Sequence, residues 1–170
     1  MFTLIIGGSA CGKSEYAEQH VLSLDGSRFY LATMEPFGRE AAARIEKHKA
    51  ARADRGFDTV ECYISLRDVP IASDANILVE DLGNLTANEL FRLDGGGKQA
   101  VLDGVRSVLS RCRHLTVVTN EVFSGGQDYL GDTLDYLRAL AEINRELAAR
   151  ADLVVEVVCG LPNLLKGGSM

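Results

Sequence analysis

The sequence lacks any close pair of cysteines, any excess of positive charge and any apolar run long enough to span a bilayer, and each absence closes off a class of protein. Its four cysteines, Cys11, Cys62, Cys112 and Cys159, are scattered along the chain. None sits beside histidines at zinc-site spacing, so neither a disulfide framework nor a zinc module is expected. Three of them lie in or beside apolar stretches, which fits free buried thiols in a reducing cytoplasm. Lys and Arg number 18 against 24 Asp and Glu, for a net charge of −6. That sign is wrong for a protein that coats nucleic acid. The opening Met-Phe-Thr-Leu-Ile-Ile carries no basic region and stops at Gly7, so neither a signal peptide nor a membrane span is expected.

What is there is ordinary globular composition. With 46 % hydrophobic and 25 % charged residues in 170, the chain suits one domain over 1–170 and can bury a core without metal or disulfide support. Short apolar runs read as strands at Thr3–Ile6, Arg28–Thr33, Asp58–Tyr63, Asn76–Leu82, Leu115–Thr119 and Leu153–Cys159, the last being the final clear strand. Between them, helices are expected from Ser14 to about Leu24, over Arg39–Arg55 with Gly56 as its stop, over Asn84–Leu93 capped by Asn84 or Thr86, over Lys98–Cys112, and from Asp132 to about Arg150. Alternating strands and helices, several strands being continuously apolar, predict an α/β fold with a mostly parallel sheet covered by helices on both faces.

The most specific local pattern is Gly7-Gly8-Ser9-Ala10-Cys11-Gly12-Lys13-Ser14, a full match to G-x-x-x-x-G-K-[ST] between a strand and a helix. Backbone N–H groups of such a turn converge on phosphate oxygens, and the helix N-terminus adds a favourable dipole. Lys13 would reach the terminal phosphates and the Ser14 hydroxyl would ligate Mg²⁺. The strand ending in Glu80-Asp81 resembles a Walker-B end, so Asp81 is placed with Ser14 on the metal side. Asn120 and Glu61 are further polar candidates at the same sheet edge. This loop serves kinases, ATPases, GTPases and nucleotidyltransferases alike, so the residues alone leave open a small-molecule kinase or a non-catalytic nucleotide-binding regulator.

A second concentration of chemistry lies between Arg39 and Arg55, which holds six of the chain's 18 Lys and Arg. At helical spacing Arg44, His48 and Arg52 share a face. Like charges so placed are unfavourable unless an anion, such as a triphosphate, sits over them. The flanking cations favour a neutral His48 imidazole, able to act as base or as nucleophile on phosphorus. A solvated basic face with an incidental histidine is the other reading.

The order of these segments resembles the cobinamide kinase/cobinamide-phosphate guanylyltransferase family of cobalamin biosynthesis. The likeness is carried by the phosphate loop, Tyr30-Leu31-Ala32-Thr33, Arg44-Ile45-Glu46-Lys47-His48-Lys49-Ala50-Ala51-Arg52, Val79-Glu80, Val118-Thr119-Asn120-Glu121-Val122 and a late Asn144. The resemblance implies a RecA-like P-loop fold, a homotrimer, and two reactions. ATP or GTP phosphorylates adenosylcobinamide, and GTP then gives GMP to the phosphate, by way of a guanylyl group on His48. It also implies nucleotide contacts at Thr33, Met34, Glu35, Lys49, Ala50, Ala51, Arg52, Glu61 and Glu80, and a corrinoid as the small-molecule partner.

Overall fold

The computed structural model describes residues 1–36, 50, 52, 54–125 and 128–168. Its elements in chain order are β1 (Phe2–Gly7), α1 (Lys13–Leu22), β2 (Arg28–Ala32), β3 (Asp58–Glu61), a 3-10 turn (Leu66–Asp68), β4 (Asn76–Glu80), α2 (Leu82–Phe91), α3 (Gly97–Arg111), β5 (His114–Asn120), α4 (Asp132–Arg150), β6 (Leu153–Val158) and β7 (Leu161–Lys166). The seven strands form one sheet in the order β3-β2-β4-β5-β1-β6-β7. Every described pairing is parallel except β6 with β7.

The alternation of side chains along each strand builds two cores. Leu4, Ile77, Val79, Leu115 and Val117 face α2, α3 and α4, where they meet Leu82, Leu85, Val105, Leu140, Ile143 and Leu147. Their neighbours Ile5, Leu78, Val118 and Val155 face the other way, onto Ala17 and Val21 of α1 and onto Tyr30 and Phe57. Both faces are therefore covered, which is why the central strands carry unbroken apolar runs. Each fully buried Leu or Ile contributes roughly 1.5–3 kcal/mol over leaving it exposed.

Parallel register sets the carboxyl ends of the strands along one edge. Gly7 is opposite Asn120, and Ala32 is opposite both Glu80 and Glu61. In open α/β sheets that edge is where ligands bind. The strand inserted between β1 and β4 is β5, the RecA-like arrangement.

Two local expectations need correction, and a third lies mostly outside the described residues. The cap of α2 is Asp81, whose Oδ1 accepts from the Asn84 backbone N–H at 2.7 Å, so Asn84 is the recipient of the cap and Thr86 lies inside the helix. Leu153–Cys159 is followed by a further strand, β7. Cys159 and Gly160 have φ of 53° and 78°, the left-handed pair that reverses a chain within two residues. Lys166 Nζ then pins β7 by donating to the carbonyls of Ala148 and Ala149 at 3.1 and 2.8 Å, closing the C-terminal end of α4 with a cation. Most of the helix expected over 39–55 lies outside the described residues. Its described members Ala50 and Arg52 are helical, and Gly56 follows at φ 79°, as a C-terminal glycine does.

Candidate active site

The end of β1 turns directly into the phosphate loop, and the loop's glycines answer to specific neighbours. A Cβ on Gly7 would lie 2.5 Å from Cys11 Sγ and 2.7 Å from the Val157 carbonyl oxygen. Gly12, at φ 91°, supplies the left-handed residue that precedes α1. The loop is braced from outside by the β6–β7 turn, where Gly160 N–H donates to the Cys11 carbonyl at 2.8 Å. Lys13 is buried within the loop and its Nζ donates to the Gly8 carbonyl at 3.1 Å. The first turn of α1 has no side-chain cap, which leaves its N–H groups for an anion.

The carboxylate that meets this loop is Glu80. Ser14 Oγ donates to Glu80 Oε1 at 2.6 Å, while Glu80 Oε2 is buried with no hydrogen-bond partner among the described residues. Burial pushes the Glu80 carboxyl up to about 7, the Ser14 hydrogen bond opposes that, Asp81 adds to it, and Lys13 opposes it. Asp81, expected on the metal side with Ser14, spends its Oδ1 capping α2. Among the described residues no three His, Cys, Asp or Glu gather into a protein-only cage. A hydroxyl and one orphaned carboxylate oxygen instead fit Mg²⁺, which keeps waters and phosphate oxygens in its shell.

Beside this pair opens a cavity of about 330 Å³, lined by Ser14, Glu18, Tyr30, Ala32, Met34, Arg52, Glu61, Glu80, Asp81 and Asn84. Arg52 is buried, with Cζ 3.9 Å from the centre of the Tyr30 ring, a cation–π contact. Tyr30 also meets Phe57 edge-on at 6.0 Å, and burial raises its hydroxyl pKa well above the ordinary value. Glu61 Oε2 accepts from the Tyr63 hydroxyl at 2.5 Å. Thr33 is fully buried. Its N–H donates to the Glu80 carbonyl at 3.0 Å, and its hydroxyl to the Asp81 carbonyl at 2.7 Å. It therefore positions the two carboxylates through their backbone. Met34 lines the cavity, whereas Glu35 pairs with Arg92.

The structure thus brings Lys13, Ser14, Met34, Arg52, Glu61 and Glu80 to one cleft and its rim. His48, Lys49 and Ala51 lie outside the described residues, and Ala50 is exposed. Two participants escape a sequence reading. Glu18 follows Ser14 by four residues on α1, so helical spacing alone puts it on the same face; it pairs with Arg55 at 2.5 Å. Gly83 has no local motif. A Cβ there would lie 2.6 Å from Asn120 Nδ2, 3.0 Å from the Tyr136 hydroxyl and 3.2 Å from Asp81 Oδ1, so its missing side chain lets three elements converge behind the carboxylates.

Sheet order, loop and Ser14–Glu80 pairing together define a P-loop nucleotide-binding protein of the RecA-like kind. Comparison with known proteins narrows the class. The model of the family described as cobinamide kinase / cobinamide phosphate guanyltransferase matches residues 3–165. The bifunctional adenosylcobalamin biosynthesis protein CobU of Salmonella typhimurium strain LT2 is 31 % identical over 179 aligned positions, covering 95 % of this chain and 97 % of that one. The protein of that name from Escherichia coli K12 is 31 % identical over 182 positions, with the same coverage of each. The bifunctional adenosylcobalamin biosynthesis protein CobP of Pseudomonas aeruginosa PAO1 is 29 % identical over 175 positions, covering 98 % of both. Among solved structures, the P4 protein from bacteriophage phi6 in complex with ADP aligns at a TM-score of 0.46 and 13 % identity, over 95 % of this chain and 53 % of that one, too distant a likeness to bear on function. The chain belongs to the cobinamide kinase / cobinamide phosphate guanyltransferase family.

Proposed function

We propose that the chain phosphorylates adenosylcobinamide with ATP or GTP, and then transfers GMP from GTP to adenosylcobinamide phosphate to give adenosyl-GDP-cobinamide. The observation that carries this reading is a complete phosphate loop, Gly7 to Ser14, paired with Glu80 inside a chain that matches the family model from residue 3 to residue 165. The nucleotide contacts follow from the same reading: Gly7, Gly8, Ser9, Ala10, Cys11, Gly12, Lys13 and Ser14 at the phosphates, Thr33 to Glu35, Lys49 to Arg52, Glu61 and Glu80 around the rest. Ser14 and Glu80 would hold Mg²⁺, which supplies positive charge beside the triphosphate when bound. Among the described residues no helix is long and apolar enough to cross a membrane. A cytoplasmic homotrimer is the assembly the family resemblance supports.

The guanylyl transfer is proposed to run in two displacements. A neutral His48 imidazole nitrogen attacks the α-phosphorus of GTP, the bond to pyrophosphate breaks, and a phosphoramidate forms on the protein. A phosphate oxygen of the acceptor then attacks the same phosphorus and the histidine leaves, so a diphosphate linkage replaces the phosphorus–nitrogen bond. Charge builds on the equatorial oxygens and on the departing pyrophosphate, where Lys13 and the loop N–H groups stand ready to take it up. Steady-state pyrophosphate release from GTP, measured with and without adenosylcobinamide phosphate, tests the function itself. Release should become continuous with the acceptor and match the adenosyl-GDP-cobinamide formed. A protein that binds GTP yet releases no pyrophosphate with the acceptor would be a different P-loop protein, a plain kinase or a regulator.

A further inference from the structure

A second cavity, of about 400 Å³, opens on the α4 side of the sheet between Ile6, Phe123 and the middle of α4. Ile6 directly precedes Gly7, so this cavity adjoins the start of the phosphate loop from the opposite side of the sheet to α1. Its wall carries Arg138 and Arg145, seven residues apart and so on one face of α4. Neither makes a hydrogen bond or ion pair among the described residues, although the neighbouring cations do: Lys98 pairs with Glu142, and Arg106 with Asp103 and Glu146. The acid that also lines the cavity, Glu142, is hydrogen-bonded by Lys98, and Arg145 acts on it only as a more distant charge. Two guanidiniums are thus left beside an apolar floor of Ile6, Phe123 and Ala141.

The remaining polar group is Asn144, only 7 % exposed. Its Oδ1 accepts from Thr119 Oγ1 at 2.7 Å, and its Nδ2 donates to the Asn120 carbonyl at 3.4 Å. A side-chain amide has two N–H donors, and Asn120 engages one of them. Phe123 is held on the cavity wall by a closed turn, since Glu121 Oε1 accepts from the Phe123 N–H and from Ser124 Oγ, both at 3.0 Å. Two arginines with no ion pair among the described residues, one amide donor and an apolar floor suit an amphipathic acceptor that bears phosphate and amide groups. They do not suit a purine nucleotide, whose place on the other side of β1 is already furnished.

We infer that this cavity is the acceptor subsite, where the phosphate- and amide-bearing part of the corrinoid docks against α4 while the nucleotide occupies the cleft beside Glu80. The inference rests on the function proposed above and adds the surface that receives the second substrate. Charge-assisted contacts from guanidinium to phosphate are strong and geometrically selective. Removing both arginines, in Arg138→Ala/Arg145→Ala, should raise KM for adenosylcobinamide phosphate by about tenfold or more and leave KM for GTP within about twofold. Ala141→Leu, which fills the cavity without touching charge, should raise the acceptor KM alone. Arg138 and Arg145 are exposed and Ala141 is half-buried, all three outside the buried stripe of α4, so the variants should fold.

Steady-state KM values for each substrate decide the matter, with equilibrium dialysis of adenosylcobinamide phosphate as the direct binding measurement. An acceptor KM unchanged in both variants, in an enzyme that does make adenosyl-GDP-cobinamide, overturns the subsite and leaves the function intact. A parallel rise in both KM values also overturns it, because the arginines would then serve the nucleotide. A wild-type protein that neither binds nor converts the corrinoid overturns function and subsite together.

Discussion

Lys13→Ala should lower both corrinoid phosphorylation and guanylyl transfer by roughly 10²–10³ in kcat, the range found when one donor to a developing oxyanion is removed. The prediction follows from where the ammonium already is. Lys13 is buried inside the loop, 3.1 Å from the Gly8 carbonyl, and among the described residues no carboxylate is hydrogen-bonded to it. A buried ammonium held by one carbonyl is poorly compensated, so an arriving phosphate gives it a far better partner. Because alanine suits a helix start and removes a buried charge, the nucleotide-free variant should melt no lower than the wild type by more than a few degrees. Activity lost together with the thermal transition would mean a folding defect. Full activity in a folded variant would remove Lys13 from the chemistry.

Glu80→Gln should separate stability from activity in the opposite direction. The Glu80 carboxyl is pushed up to about 7, chiefly by burial, so the folded, nucleotide-free protein holds its proton more tightly than the unfolded chain does. The sign follows from proton counts: between the ordinary carboxyl pKa and about 7 the folded state binds more protons, so stability falls as pH rises through that window. Glutamine mimics the protonated form. The variant should therefore lose this contribution to the pH dependence and, at pH 8, be more stable than wild type by an amount on the order of 2–3 kcal/mol at most. It should also bind Mg²⁺-nucleotide poorly and turn over on the order of 10² more slowly. Melting curves from pH 5 to pH 8, run without nucleotide, check the first half. A wild-type Tm that climbs with pH across that interval, with no difference from the variant, would contradict the buried-carboxyl account.

These two residues also mark how far the sequence could be read. The phosphate loop was fully legible because its spacing and its strand-to-helix setting are both local. The central strands were legible because two covered faces force continuous apolar runs, and the span of α4 because Asp132 and Arg150 bracket an amphipathic repeat. The choice between Glu80 and Asp81 was not. The two are adjacent, and only the approach of Ser14 across β5 makes Glu80 the loop's partner and leaves Asp81 to cap α2. The β7 strand was hidden for a related reason. It contains Pro162, is exposed throughout, and so carries none of the alternation that burial writes into a strand. Gly83 shows the same limit from inside, since nothing near it in the chain announces that Asn120 and Tyr136 will meet there.

The proposed division of labour would give each side of β1 its own substrate. In this account the cleft beside α1, with Lys13, Ser14 and Glu80, would take the triphosphate, and the cavity beside α4, with Arg138 and Arg145, would take the acceptor. What joins the two halves is the proposed transfer through His48, and a pulse–chase addresses it most directly. The enzyme is incubated with α-labelled GTP and Mg²⁺, freed of nucleotide, and then given unlabelled adenosylcobinamide phosphate. The account predicts acid-labile, base-stable label on the protein, one pyrophosphate released for each label bound, and transfer of that label to the corrinoid during the chase. His48→Ala should take no label. Label absent from the wild type, or equally present on His48→Ala, would contradict the covalent route even if adenosyl-GDP-cobinamide were formed.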